Sequence, residues 1–309
     1  MSLLRVVFAG TPEFALPTLQ ALHREHQLIQ VWTRPDRPAG RGQTLRESAV
    51  KTVARTLGVD IRQPLRADLS GLLAETTPDL LVVVAFGMLL PVAVLDWPRL
   101  GALNVHASLL PRWRGAAPIA RAIEAGDTQT GISIMRMDAG LDTGPIYLQR
   151  SLDLMGGVTA GEAHDALAQA GAEALLESLP LVLAGREPQR QPETGACYAP
   201  KLQKHEAWLN WSEDARVLER RIRAFHPYPV AQTRCDTRVL RIHKAECRDL
   251  AAGAPPGTIV ALDAQGIDVA TGHGMLRLRT VQPQGGRVMS APEFARGQRL
   301  QLGQRLVSA

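Results

Sequence analysis

Residues 101–118 read GALNVHASLLPRWRGAAP, a short apolar run that ends in polar residues. The run has the composition of a buried strand, and Asn104 and His106 stand two positions apart at its end. Because side chains at i and i+2 of a strand project from the same face, we expect these two to point the same way. Ligands of open α/β sheets bind beyond the carboxyl ends of the strands. The stretch therefore predicts a site at the end of a strand.

A second polar segment, Gly140 to Pro145, reads GLDTGP and offers one carboxylate, Asp142, between two glycines. Asn, His and Asp are the parts needed for acyl-type transfer without a protein nucleophile: the His exchanges protons, the Asp holds it, and the Asn donates to an oxyanion. Taken singly, a His at a strand end is more often structural, and an Asp between glycines more often forms a turn. The combination favours catalysis.

Outward from this stretch, strand-like runs alternate with helical segments. We predict strands at residues 3–9, 28–33, 80–85, 101–105, 131–137 and 146–149, and a closing helix at 159–183. This alternation is typical of an α/β fold with a doubly wound, mostly parallel, Rossmann-like sheet. Thr11 is the predicted N-cap of the first helix, with Pro12 at its first position. The helix is predicted to restart at Pro17, with Leu19 and Leu22 facing the core. Gly10 stands without a G-x-G-x-x-G pattern, which argues against a dinucleotide fingerprint.

The last third of the chain has a different pattern. Residues 184–205 are polar and rich in Gly and Pro, so we place a first domain at 1–188, a linker at 189–205 and a second domain at 206–309. After a helix at about 212–224, short runs that alternate apolar and polar residues predict a small, OB-like β-barrel.

The charge of the chain is concentrated in this second domain. The net charge is +5, and residues 206–309 hold 15 Lys and Arg against 10 Asp and Glu, whereas the preceding part is neutral. A basic domain suggests a polyanionic partner, although a solvated Arg-rich surface explains the charge equally well.

Three cysteines without metal-ligand spacing indicate a reducing, cytoplasmic environment with no disulfide framework and no metal site. No run of about 18 apolar residues is found, so no membrane span is predicted. Nothing in the sequence demands more than a monomer.

The stretch NVHASLLPRWRGAAPI, with GLDTG downstream, resembles the formyltransferases that use 10-formyltetrahydrofolate. The loop PDRPAGRG at 35–42 and the turn RAFHPYP at 223–229 resemble segments of the family members that act on a tRNA. The resemblance extends from the first strand to about Ser290. The sequence departs from the family pattern at Ala107, where Gly is frequent, and at His226 and Tyr228, which replace Asn and Trp.

The resemblance implies transfer of a formyl group from 10-formyltetrahydrofolate to the amino group of methionine on initiator tRNA. The implied catalytic residues are Asn104, His106 and Asp142. The implied folate contacts are Ser108, Leu109, Leu110, Pro111, Phe86 and Gly87.

The basic loop 34–46 is the second implied binding element. Its two prolines and two glycines predict an exposed arm without helix or strand. By resemblance the arm contacts the acceptor end of the tRNA through Arg37 and Arg41, with Arg41 the better candidate. In the barrel the candidates for phosphate contact are Arg220, Arg221, Arg223, Arg238 and Arg241, among which the sequence does not choose.

Two other functions remain open at this point. A formyltransferase for a small amine, such as a nucleotide sugar or glycinamide ribonucleotide, would use the same three residues but would leave the basic arm and barrel without a purpose. An RNA-binding or folate-binding protein without catalysis would not need Asn104, His106 and Asp142 together.

Overall fold

The computed structural model describes residues 3–39, 44–65, 69–250 and 253–308. These residues form two compact units. The first draws on Met1–Pro118, Gln129–Asp153 and His164–Ala199, and the second on Ile119–Thr128, Leu154–Ala163 and Pro200–Ala309. The second unit thus includes two short segments that precede the predicted linker in the chain.

Eleven strands and six helices are described up to residue 199. The strands are β1 (Arg5–Gly10), β2 (Gln27–Trp32), β3 (Arg37–Ala39), β4 (Thr44–Arg46), β5 (Ile61–Arg62), β6 (Leu80–Val84), β7 (Ala102–His106), β8 (Arg114–Gly115), β9 (Gln129–Arg136), β10 (Ile146–Asp153) and β11 (Tyr198–Ala199). The helices are α1 (Leu16–Glu25), α2 (Ala49–Thr56), α3 (Leu69–Leu72), α4 (Val92–Leu95), α5 (Pro118–Ala125) and α6 (Ala160–Leu183).

The main sheet has the strand order β10-β9-β7-β6-β1-β2-β5. The five strands from β7 to β5 are parallel, whereas β9 and β10 run antiparallel to their neighbours. All five residues of β6 are buried, as expected for a parallel strand covered on both faces. The predicted mostly parallel sheet is confirmed, and β7 lies within it between β6 and β9.

The predicted restart of the helix at Pro17 is confirmed, because α1 begins at Leu16 and buries Leu19 and Leu22, but the predicted cap is not. A 3₁₀ turn at Glu13–Ala15 precedes the helix, and Pro17 occupies its first turn. A continuous helix starting at Pro12 would place the Pro17 ring against the carbonyl of Glu13. The prediction that Thr11 caps the helix is therefore wrong; its hydroxyl donates to the carbonyl of Phe86 at 3.0 Å.

Helix α6 is long and apolar enough to cross a membrane by length and composition alone, and half of its most apolar stretch is buried inside the protein. Gly171 of this helix packs so closely on the sheet that a Cβ there would lie 2.8 Å from Val105 Cγ1. This contact is typical of a core helix.

The second unit contains α7 (Ala215–Ala224) and α8 (Ala291–Gln298). Its strands are β12 (Ala231–Cys235), β13 (Arg238–Arg248), β14 (Ile259–Leu262), β15 (Ile267–Ala270), β16 (Met275–Pro283), β17 (Met289–Ser290) and β18 (Leu306–Val307). They form an antiparallel sheet in the order β14-β15-β16-β13-β12-β18, with β17 beside β16.

This sheet closes on itself. Leu306 N donates to Gly257 O and Ile259 N donates to Gln304 O, both at 2.8 Å. These main-chain hydrogen bonds join the segment around β18 to the segment around β14, the two ends of the sheet. Apolar side chains from β13 and β16, among them Leu240 and Leu278, fill the interior. The predicted C-terminal barrel is confirmed.

Candidate active site

Strand β7 carries two polar side chains into the interior. Asn104 is 8% exposed and His106 is 6% exposed. The strand pairs with β6 on one side and with β9 on the other, so its backbone is fixed on both edges. Buried polar groups need hydrogen-bond partners, and those of Asn104 and His106 come from loops beyond the strand.

The first partner is Asp142, from the loop between β9 and β10. Its Oδ1 accepts a hydrogen bond from Asn104 Nδ2 at 3.2 Å, and its Oδ2 lies 3.6 Å from His106 Nδ1. Oδ2 also accepts the main-chain N–H of Gly115 at 2.8 Å. The structure thus brings together the three residues that the sequence singled out.

The backbone of Asp142 is held in an unusual conformation. Its φ is +55°, in the left-handed region that Asp visits more readily than most residues but still at a cost of about 1 kcal/mol. The neighbouring contacts must therefore hold the carboxylate in place.

The second partner of His106 is the loop that follows β7. Its Nε2 lies 2.9 Å from the carbonyl oxygen of Trp113, within hydrogen-bond distance. Both ring nitrogens therefore face oxygen atoms, one of a carboxylate and one of the backbone, which fixes the plane of the ring.

The loop that follows β7 is braced by two serines. Ser108 Oγ donates to Arg112 O at 2.6 Å, and Ser133 Oγ of β9 donates to Ser108 O at 2.7 Å. Ser133 Oγ also accepts the N–H of Leu110 at 3.1 Å. Ser108 and Leu110 are consequently buried, whereas Leu109 and Pro111 are half-buried. Only the latter two present accessible side chains for a ligand in this conformation.

The segment after β6 contributes mainly backbone. Phe86 is buried in the same core cluster as Trp32. Gly87 is exposed, with φ +75° and no atom within 4 Å of a Cβ built there. The Gly87 carbonyl accepts from Arg34 Nη1 at 2.8 Å. Of these two predicted folate contacts, Gly87 has accessible surface and the Phe86 side chain has almost none.

The basic arm is a short β-ribbon. Strands β3 and β4 pair antiparallel, with Arg37 opposite Arg46 and Pro38 opposite Leu45. The prediction of an arm without strands is wrong, because an isolated two-stranded ribbon has free outer edges, on which a proline that cannot donate is tolerated. Arg41 lies outside the described residues.

The two paired arginines of the arm are exposed. Like charges directly opposite each other destabilise a ribbon, and among the described residues neither the Arg37 nor the Arg46 side chain has a hydrogen bond or an ion pair. The flanking carboxylates are already paired: Lys51 and Gln63 bond Asp36 and lower its pKa, and Arg55 does the same to Glu47.

The arginines of the second unit fall into two groups. On α7, Arg221 pairs with Glu213 at 2.7 Å and Arg223 pairs with Glu219 at 2.6 Å. Arg220 of the same helix donates to the carbonyl of Glu124 at 3.2 Å.

By contrast, Arg238 and Arg241 of β13 are exposed, and neither side chain has a hydrogen bond or an ion pair with any residue that the structure describes. These two are the arginines of the predicted set that are open to a ligand.

The cysteines are all free thiols, and burial raises the pKa of Cys235 and of Cys247 to about 11. Within the described ranges, no three His, Cys, Asp or Glu side chains are grouped so that they could hold a metal ion.

The family follows from comparison with known sequences. Residues 4–179 match the family described as formyl transferase, and residues 201–299 match its C-terminal domain. The chain belongs to the formyl transferase family. Among its relatives, the methionyl-tRNA formyltransferase of Stenotrophomonas maltophilia strain R551-3 is 50% identical over 96% of this chain and 98% of the relative. The enzyme of that name from Xanthomonas euvesicatoria pv. vesicatoria is 48% identical over the same shares.

Solved structures share the fold at lower identity. HypX from Aquifex aeolicus, in complex with tetrahydrofolic acid, is 17% identical, with a TM-score of 0.65 over 95% of this chain and 47% of that one. The N-formyltransferase from Helicobacter canadensis, in complex with folinic acid and dTDP-3-aminofucose, is 15% identical, with a TM-score of 0.68 over 89% of this chain and 99% of that one.

Proposed function

We propose that the protein transfers the formyl group of 10-formyltetrahydrofolate to the amino group of methionine on initiator tRNA, as required for translation initiation. The observation that carries the proposal is the meeting of Asn104, His106 and Asp142 at the end of β7. A relative that is named methionyl-tRNA formyltransferase and is 50% identical in sequence supports the choice of acceptor.

Asn104 is the proposed oxyanion donor. Attack of the amine on the formyl carbon forms a C–N bond and places negative charge on the formyl oxygen. An amide has two N–H groups, and Asp142 accepts one from Asn104, so the second can donate to this oxygen. Such a donor contributes about 3–4 kcal/mol in comparable sites.

Asp142 is the proposed proton acceptor. An ionised carboxylate has about four lone-pair sites, and Asn104, Gly115 and His106 face three of them. One site remains for the amine proton, taken directly or through a water. The bond that breaks joins the formyl carbon to a folate nitrogen. That nitrogen takes up one proton as it leaves, which balances the one proton that the amine gives to Asp142.

His106 is proposed to supply a second donor to the oxyanion. Its Nε2 bonds the Trp113 carbonyl in the structure, so this role requires that bond to be exchanged for one to the substrate. Asp142 keeps the ring oriented through Nδ1 during that exchange.

The folate supplies the formyl group, and the surfaces around the site fit an aromatic ring system. Leu109 and Pro111 offer half-buried apolar side chains, and Gly87 leaves open space beside its backbone. We propose that these residues contact the folate directly, and that Ser108, Leu110 and Phe86 hold the surrounding backbone.

The tRNA is proposed to bind residues of both predicted domains: the arm 34–46 in the catalytic domain 1–188, and the barrel in 206–309. Unpaired guanidinium groups bind phosphate well, which favours Arg37 in the arm and Arg238 and Arg241 in the barrel. Arg41 remains a candidate from sequence.

The test is a direct assay of formyl transfer. Purified protein is incubated with 10-formyltetrahydrofolate and either charged initiator tRNA, free methionine or an amino-sugar nucleotide, and release of tetrahydrofolate is followed. Of the three acceptors, only charged initiator tRNA is expected to support turnover. Turnover only with the sugar nucleotide would show that the acceptor is a small amine and not charged tRNA. Binding of tRNA without turnover on any acceptor would show that the protein is an RNA-binding protein and not an enzyme.

We further propose that the protein acts as a monomer in the cytoplasm. Its three free thiols are compatible with a reducing compartment. Sedimentation equilibrium at several concentrations tests the monomer, because self-association would raise the apparent mass.

A further inference from the structure

Every hydrogen-bonding group of the Gln191 side-chain amide has a partner in the first unit. Its Nε2 donates to the main-chain carbonyls of Asp142 at 2.9 Å and of Gly144 at 2.7 Å. Its Oε1 accepts from Arg114 Nε at 3.1 Å and from Arg114 Nη2 at 2.7 Å. Four hydrogen bonds saturate both N–H donors and both lone pairs of the amide.

The segment that carries Gln191 is itself fixed to the sheet. The main chains of Gln189 and Ile146 exchange hydrogen bonds at 2.7 and 2.8 Å, so residue 189 pairs with the start of β10. Residues predicted to form a linker therefore run beside the loop that presents Asp142.

Gln191 also joins the two segments that touch the Asp142 carboxylate. Its amide nitrogen donates to the main-chain carbonyl of Asp142, and its amide oxygen accepts from the guanidinium of Arg114, the residue before Gly115. Gly115 N–H donates to Asp142 Oδ2 at 2.8 Å. A single amide thus sets the distance between the carboxylate and one of its donors.

We propose that Gln191 is a positioning residue for formyl transfer, which holds Asp142 in the left-handed conformation that directs its carboxylate to Asn104 and His106. The inference rests on the proposed function, since it assigns to Asp142 the proton transfer described above. Without the two N–H donors of Gln191, the carbonyls of Asp142 and Gly144 lack the hydrogen bonds that hold the strained backbone.

Two substitutions distinguish the hydrogen bonds that the Gln191 amide donates to the loop from those that it accepts from Arg114. Gln191→Ala removes all four bonds, whereas Gln191→Glu keeps the acceptors for Arg114 and removes the donors to the loop. Misplacement of a catalytic group by about 1 Å can cost about 100-fold in rate. We therefore expect kcat to fall about 10- to 100-fold in both variants, with unchanged KM for folate and for charged tRNA.

The matched control is Gln189→Ala. Gln189 is exposed, and its bonds to Ile146 are made by the main chain, so this variant should keep the wild-type kcat. A Gln191→Glu enzyme with the wild-type kcat would show that the donors to the loop do not matter and would overturn the inference.

The coupling between Gln191 and Asp142 distinguishes positioning from general stabilisation. If Gln191 acts through Asp142, Gln191→Ala should cause little further loss of kcat in an Asp142→Asn enzyme, because interacting residues are non-additive. A full additional loss in that background, together with a lowered thermal midpoint, would overturn the inference.

The formyl-transfer activity of the wild type is measured before that of the variants. A wild-type protein that formylates no charged tRNA would overturn the proposed function and this role with it. An active wild type with an equally active Gln191→Ala variant would overturn the positioning role alone.

Discussion

The side-chain amide of Asn104 and the carboxylate of Asp142 are 3.2 Å apart although 38 residues separate them in the chain. One lies on a central strand and the other in a loop with a left-handed backbone. Because each side chain is a hydrogen-bond partner of the other, a change to one is expected to disturb both.

Asn104→Ala tests the oxyanion donor. We expect kcat to fall about 100- to 1,000-fold, because the developing charge loses one donor and Asp142 loses a partner. Single-turnover transfer to charged tRNA measures the chemical step. Asn210→Ala, at an exposed position of the second unit, is the control and should retain full activity. Activity of Asn104→Ala close to wild type would remove Asn104 from the mechanism.

Arg37→Ala combined with Arg46→Ala tests the arm. Each arginine that binds a phosphate contributes about 1 to the slope of log affinity against log salt. The variant loses two arginines, so it should bind charged tRNA more weakly and with a slope smaller by up to about 2. Arg24→Ala, an exposed arginine of α1, should change neither quantity. Equal salt slopes for the arm variant and the wild type would speak against phosphate binding by the arm.

Arg41→Ala tests the residue of the arm that only the sequence supports. We expect slower formylation of charged tRNA, because a guanidinium that binds the acceptor end is removed. The rate at limiting tRNA is the measurement, and an unchanged rate would assign the arm's function to its other arginines.

Gly144→Ala tests the packing of the Asp142 loop. A Cβ at this position would overlap the main-chain oxygen of Arg136, so the loop must shift. We expect lower kcat and a lower free energy of unfolding, measured by urea denaturation. Gly297→Ala in α8 meets no atom within 4 Å and should stabilise the protein by about 0.5–1 kcal/mol. A fully active Gly144→Ala enzyme would show that the loop tolerates the shift.

His243→Asn tests a pH-dependent contribution to stability. Burial lowers the pKa of His243 below 6.5. A hydrogen bond to Gln282 raises this pKa, but the nearby His226 and Arg241 add to the effect of burial. The unfolded chain then binds more protons at this position, so the stability of the folded state falls as the pH drops from about 6.5 through the lower folded pKa.

The urea midpoint of the wild type should therefore decrease more between about pH 7.5 and about pH 5 than that of His243→Asn. Identical decreases would mean that the pKa of His243 is the same in the folded and unfolded states.

The features that the sequence predicts are those with a strong local pattern. The unbroken apolar run of β6 and the polar pair on β7 require only strand geometry to place the site. The barrel follows from alternating runs separated by turns. In each case the pattern lies within one contiguous segment.

The features that the sequence does not predict depend on main-chain groups or on distant partners. Trp113 contributes a carbonyl and Gly115 an N–H, and every non-proline residue offers both. Gln191 lies in a polar stretch that has the composition of a linker, and no local pattern marks its bonds to a loop 49 residues earlier. Thr11 likewise bonds a residue that the chain reaches much later.

The bonds between residues 257–259 and 303–306 make the end of the described chain the seam of the barrel. Strand β18 also covers the outer edge of β12. A deletion that removes β18 would leave two strands with unpaired backbone groups, and such edges recruit other chains. A protein that lacks β18 should therefore self-associate.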